Sequence, residues 1–127
     1  SRLMKLVVNL MIAQTSAMLA EALTLGRKGG LDWQAMWQVL TASAVASPIV
    51  KAKALQLGER DFTPTFTVEQ MIKDLDLILG EGARSGVPLG LTAQVRQVYE
   101  AIAAQGDGDL DYISTVRYSE RLAGIKQ

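Results

Sequence analysis

Apolar positions recur at helical spacing along most of the chain, in segments rich in alanine, leucine, glutamine and methionine. Short glycine or proline breaks separate these segments, and alternating β-branched runs are scarce. The pattern predicts an all-α domain of about six helices. The first runs from about Leu3 to Gly26, because nothing interrupts it and "GRKGG" then sets basic residues beside glycines, a helix-ending mixture. Its apolar residues cover most of the circumference, so a long, largely buried helix is expected, enclosed by other helices or by a second subunit.

Capping residues mark the remaining boundaries. Asp32 can cap "WQAMWQVLTAS", and Ser47 followed by Pro48 opens "IVKAKALQLGE". After the loop "RDFTPTF", Thr67 with Gln70 makes a capping box for "VEQMIKDLDLILGEGARS", whose end is marked by "SGVP". In that helix Met71, Ile72, Leu75, Leu77, Ile78 and Leu79 are expected to supply the buried stripe. "LTAQVRQVYEAIAAQG", the acidic turn "DGDLD" and a final helix through "YISTVRYSERLAG" complete the chain. No repeat or long linker divides it, and 127 residues suit one domain.

Charge and composition then exclude several classes of function. Lysine plus arginine equals aspartate plus glutamate at 13 each, so no net field favours nucleic acid, an anionic membrane surface or a polyanionic substrate. With neither cysteine nor histidine, a thiolate or imidazole metal site and the commonest general base are missing, and a cytoplasmic protein is expected. Lys5, Asn9, Gln14 and Glu21 divide the apolar N-terminal residues into short runs, so no membrane span is expected, and the first residues lack the basic start and small-residue cleavage site of a signal peptide. Asp107, Asp109 and Asp111 alternate as in a calcium loop, but the following glycine and the distal glutamate are absent, and no metal is expected. No glycine-rich dinucleotide turn joins a strand to a helix.

Two polar constellations remain. Lys5 and Asn9, in "MKLVVN", stand four residues apart and project from one helix face, where together they can hold a small polar ligand. A lysine ammonium there is suited to proton transfer, while the plain alternative is a solvated lysine beside a hydrogen-bonded asparagine. Lys73 and Asp74 interrupt the apolar stripe of "MIKDLDL", so at least one of them lies at its edge, lining a cleft or joining a solvated charge cluster. Trp33, Trp37, Phe62 and Phe66 lack an accompanying basic stripe and are read as packing residues.

Taken together, "MKLVVN", "AEALTLGRKGGLD", "FTPTFTVEQMIKDLDL" and "GDGDLDYIST" resemble, in order, the C-terminal helical domain of the β-hydroxyacid dehydrogenases. This family includes 3-hydroxyisobutyrate dehydrogenase and the tartronate semialdehyde and glyoxylate/succinic semialdehyde reductases, and its helical domain is similar to that of 6-phosphogluconate dehydrogenase. "MKLVVN" and "KDLDLILG" lean toward the glyoxylate/succinic semialdehyde branch. The resemblance implies that residues 1–127 are a substrate-binding and dimerisation domain, with the N-terminal Rossmann domain that holds most of NAD or NADP absent from this chain. It implies a catalytic role for Lys5, which exchanges a proton with the substrate oxygen, and a substrate-orienting role for Asn9. On the cofactor side it implies Lys73, Phe66 and Asp74, the last by fixing its helix. The implied partners are a small hydroxy acid or semialdehyde and a second copy of the chain, with Ala13, Ala17 and Ala20 as a close-packing seam. The family usually has glycine-x-glycine shortly before the lysine, and Ser1 stands at the second glycine. This chain alone is therefore expected to be inactive. A non-catalytic helical interaction domain is the alternative, and the related imine reductases generally lack the lysine.

Overall fold

The computed structural model describes residues 1–126. Six α-helices form it: α1 Arg2–Lys28, α2 Trp33–Leu40, α3 Pro48–Gly58, α4 Val68–Ser85, α5 Gly90–Ile102 and α6 Thr115–Leu122. A π-type turn follows α5, and a short 3-10 turn at Tyr112–Ser114 leads into α6. Among the described residues the one β-type pairing is the isolated bridge between Thr67 and Asp111.

Local chemistry starts these helices where the capping residues predict. Asp32 accepts the Ala35 N–H at 3.0 Å at the start of α2, and Ser47 accepts that of Val50 at 3.3 Å ahead of Pro48 in α3. At α4 the Thr67 hydroxyl accepts the Gln70 N–H at 3.0 Å while the Gln70 side chain accepts the Thr67 N–H at 2.8 Å. That reciprocal pair satisfies two donors left over at the first turn. Gly86 ends α4 at φ 74°, a left-handed conformation that a side chain would resist. The second helix stops at Leu40, short of the predicted Ser43, because residues 41–47 fold into turns.

Two apolar clusters share α1 as their common wall. Ala13 packs in the first, with Val68, Met71, Leu75 and Ile78 of α4 and Val95 and Tyr99 of α5. Leu19, Ala20 and Leu23 enter the second, with Met36, Trp37, Val50, Leu57, Ile113 and Val116. The expected interior stripe of α4 holds except at Leu77, which is exposed.

The expectation of a largely buried first helix is corrected. The buried positions of α1 all lie between Ala13 and Thr24, whereas Leu3, Met4, Val7, Val8 and Met11 are exposed. The second half of α1 is enclosed by α2 and α6, while its first half packs against α4 and leaves its other faces uncovered. The alanine seam is also redirected. Ala13 and Ala20 are buried within this chain, and Ala17 lies beside Tyr118 and Ser119, so small residues admit the chain's own α6 where a second copy was expected. By length and apolar content α1 does meet the measure for a membrane-crossing helix, contrary to the run-length reading, because its polar residues are few and scattered. Several of those polar residues are tied into the bundle: Gln14 donates to Thr92 at 3.0 Å, and the Ser16 carbonyl accepts from Thr115 at 2.9 Å.

Candidate functional site

α1 and α4 run antiparallel, and their contact brings the two polar constellations together. Leu3, Leu6 and Leu10 share an apolar recess of about 270 Å³ with Ile78, Gly82 and Ser85 near the end of α4. Farther along α1, the Asn9 amide donates to the Asp74 carboxylate at 2.7 Å, joining residues 65 positions apart. Both are half-buried, so the charge-assisted bond is only partly screened. Lys5 lies one helical turn from Asn9 toward the start of α1, and its exposed ammonium makes no hydrogen bond or ion pair among the described residues. Lys73 neighbours Asp74 and is likewise exposed and uncommitted among the described residues. The chemistry available along this edge is two free ammonium groups flanking a fixed amide–carboxylate pair.

Phe66 precedes the Thr67 cap and so lies beyond the Asn9–Asp74 bond, on the side away from Lys5. It is half-buried, packs on the first cluster and meets the Tyr112 ring edge-on, with centroids 6.4 Å apart. The Tyr112 N–H donates to the Phe66 carbonyl at 2.8 Å. Of the five sequence-predicted site residues, Asn9 and Asp74 meet across the α1–α4 contact, Lys5 and Lys73 stand on those two helices, and Phe66 packs on the first cluster ahead of α4.

Sequence reasoning missed the polar groups behind this edge. Asp111 is fully buried, and its carboxylate accepts from the Thr65 N–H at 3.0 Å, the Thr65 hydroxyl at 3.1 Å, the Ile113 N–H at 3.1 Å and the Lys53 ammonium at 3.2 Å. Burial alone would raise its pKa, but the N–H groups of Thr65 and Ile113 and the Lys53 charge outweigh it and hold the carboxyl below its ordinary value. The residue considered as a calcium ligand is committed to a lysine, while Asp107 pairs with Arg121 at 2.7 Å. Lys53 also sits 4.4 Å from the centre of the Tyr112 ring, whose hydroxyl pKa burial pushes up to about 12.

Deeper still, the Tyr99 hydroxyl lies 2.5 Å from the Ser16 hydroxyl and donates to the Tyr112 carbonyl at 2.9 Å. Burial raises the Tyr99 pKa well beyond the ordinary phenol range, so it stays a hydrogen-bond donor. At the opposite end of α1, Glu120 is fully buried and accepts from Arg27 at 2.5 Å and Arg60 at 2.6 Å. A larger groove, about 580 Å³, is also at that end, lined by Leu25, Gly26, Leu31, Met36 and Val39, and shares no residue with the candidate site.

Fold and site together define an all-helical bundle with a lysine–asparagine pair on one helix facing a lysine–aspartate pair on another. The chain belongs to the family described as the NAD-binding region of NADP-dependent 3-hydroxyisobutyrate dehydrogenase, whose sequence pattern matches residues 1–119. It is 34% identical over 122 residues to 2-(hydroxymethyl)glutarate dehydrogenase of Eubacterium barkeri, an alignment covering 95% of this chain and 40% of that protein. It is 28% identical over 119 residues to glyoxylate/succinic semialdehyde reductase 1 of Arabidopsis thaliana, covering 91% of this chain and 41% of the reductase. The fold matches 3-hydroxyisobutyrate dehydrogenase from Salmonella typhimurium with a TM-score of 0.84 at 24% identity, over 90% of this chain and 40% of that one. The chain therefore spans about two fifths of the length of these relatives.

Proposed function

We propose that this chain is the helical, C-terminal substrate and dimerisation domain of an NAD- or NADP-dependent β-hydroxyacid dehydrogenase or reductase, similar in fold to the corresponding domain of 6-phosphogluconate dehydrogenase. The observation that carries this reading is the Asn9–Asp74 hydrogen bond, which unites residues implied by separate motifs beside a free Lys5 ammonium. When bound, the nicotinamide cofactor supplies or accepts the hydride. On reduction of an aldehyde or ketone, Lys5 donates a proton to the substrate oxygen as negative charge develops there, and on oxidation it takes the proton back. Asn9 orients the substrate, and Asp74 fixes the Asn9 amide by accepting one of its protons.

An exposed ammonium at Lys73 and a half-buried ring at Phe66 suit an anionic, ring-bearing cofactor better than they suit a metal. The described residues contain no strand to build a strand–turn–helix phosphate cradle, so most cofactor contacts would come from a separate Rossmann domain. The implied substrates are a small hydroxy acid or its semialdehyde. The relatives' names include dehydrogenases and a reductase, and identity does not place the glyoxylate/succinic semialdehyde reductase ahead of the 2-(hydroxymethyl)glutarate dehydrogenase.

The second reading is a non-catalytic assembly domain, favoured by the uncovered apolar residues Leu3, Met4, Val7, Val8 and Met11 on α1. Lys5→Ala in the full-length protein separates the two. Because Lys5 is exposed, its loss should leave thermal unfolding nearly unchanged while lowering turnover on the order of a hundredfold or more. Unchanged turnover would reject the catalytic role. Sedimentation at micromolar concentration tests the dimer, and a monomer there would count against it.

A further inference from the structure

We propose that Asp111 is a positioning residue whose carboxylate clasps the 61–67 loop and thereby fixes the Phe66 ring against Tyr112 and the first apolar cluster, just ahead of α4. The proposal deepens the dehydrogenase reading, since it takes from that reading the cofactor-side role of Phe66.

Phe62 and Phe66 anchor the loop's ends on the two apolar clusters, and the Asp61 carboxylate accepts the Thr63 N–H at 3.0 Å. Thr63, Pro64 and Thr65 are exposed and belong to no helix. Asp111, by contrast, is fully buried and reaches the loop through several bonds at once. One carboxylate oxygen, Oδ1, accepts the Thr65 N–H at 3.0 Å, the Thr65 hydroxyl at 3.1 Å and the Phe66 N–H at 3.4 Å. The other, Oδ2, takes the Ile113 N–H and the Lys53 ammonium. The backbone completes the clasp: the Asp111 N–H donates to the Phe62 carbonyl at 3.0 Å, and the next residue's N–H donates to Phe66 at 2.8 Å.

The two oxygens therefore have separable tasks. Oδ1 sets the backbone of Thr65 and Phe66, which together with the Tyr112 contact aims the aromatic ring. Oδ2 neutralises a buried ammonium on α3, a charge that would be costly without a partner. Because Oδ1 acts through hydrogen-bond acceptance, an amide at position 111 can still serve the loop, whereas a methyl group cannot.

The test uses the full-length protein carrying Asp111→Ala, Asp111→Asn and Phe66→Leu. Asp111→Ala should raise the KM for the nicotinamide cofactor about tenfold while changing kcat less than about threefold. Asp111→Asn, combined with Lys53→Met because its NH2 group would otherwise face the buried ammonium, should recover most of that loss through its remaining side-chain oxygen. Adding Asp111→Ala to Phe66→Leu should make KM little worse than Phe66→Leu alone, since both act on one element. Should Asp111→Ala fail to fold, Lys53→Met with Asp111→Ala removes the unpaired buried ammonium and carries the same test.

A fluorophenylalanine label gives a readout independent of catalysis. The Phe66 resonance, assigned by its loss in Phe66→Leu, should shift or broaden in Asp111→Ala and stay near its native position in Asp111→Asn with Lys53→Met. An unmoved resonance in Asp111→Ala, or equal KM values for the alanine and asparagine variants when both carry Lys53→Met, overturns the clasp. If the unmodified full-length protein turns over no hydroxy acid or semialdehyde, the dehydrogenase reading fails, while the ring signal still decides the clasp.

Discussion

Exchanging the partners of the Asn9–Asp74 bond separates its structural contribution from its functional one. The native pair is a 2.7 Å bond from an amide to a carboxylate, with both residues half-buried. Such a bond contributes about 1.5–3 kcal/mol when sheltered, and partial exposure lowers this to about 1–2 kcal/mol. Asp74→Asn leaves a neutral acceptor in place and should cost about 0.5–1 kcal/mol. Asn9→Asp removes the donor and sets two carboxylates against each other, so the lost bond and the screened repulsion together should cost about 3 kcal/mol. The double exchange restores a donor facing a carboxylate and should return stability to within about 1 kcal/mol of the native protein. Urea unfolding followed by helical circular dichroism reads all four proteins. On the proposed orienting role of Asn9, turnover by the full-length protein should stay depressed about tenfold or more in the exchanged pair, since a carboxylate would replace the orienting amide. An exchanged protein no more stable than Asn9→Asp would refute the bond, and one with native turnover would refute the orienting role of Asn9.

Other outcomes follow from the packing and from the buried polar groups. A methyl at Gly82 would lie 2.6 Å from a Leu89 methyl carbon and 3.0 Å from the Val87 carbonyl oxygen, so Gly82→Ala should destabilise by about 1–2 kcal/mol in urea titration, overpacking exceeding its gain in helix propensity. Tyr99→Phe removes the hydroxyl between Ser16 and the Tyr112 carbonyl and should cost about 1–2 kcal/mol, lowering the melting temperature by roughly 4–8 °C. The depressed pKa of Asp111 gives its charge a stabilising contribution that is fully present above the unfolded carboxyl value near 4 and is lost as pH falls through the lower folded value. The stability gap between native protein and Asp111→Asn should therefore be constant from about pH 5 to 7 and narrow steadily below about pH 4.

Legibility from sequence follows the range of the interactions. Asp32, Ser47–Pro48 and Thr67 with Gln70 act within one helical turn, and all three helix starts are found where those residues place them. The direction in which a face is buried depends on distant partners, so the alanine seam of α1 and the exposure of Leu77 were misread even though the periodicity was right. Asn9 and Asp74 stand in separate motifs, and nothing local reveals the bond between them, which depends on the antiparallel α1–α4 contact. Asp111 looked like part of an acidic turn because nothing local reveals that Lys53, 58 residues away, is its buried counterion. The pairing of Glu120 with Arg27 and Arg60 was hidden for the same reason.

The position of α1 as a wall common to both clusters has a consequence for covalent continuity. Residues 41–47 are the turns that separate α1 and α2 from the rest, and Ala42, Ser43, Ala44 and Val45 are exposed to a protease. A cut there would leave α1 gripped on one side by α4 and α5 and on another by α6, with Gln14, Ser16 and Arg27 still bonded to Thr92, Thr115 and Glu120. The two fragments would stay together as a nicked heterodimer, and the edge carrying Lys5, Asn9 and Asp74 would remain assembled across a broken peptide bond.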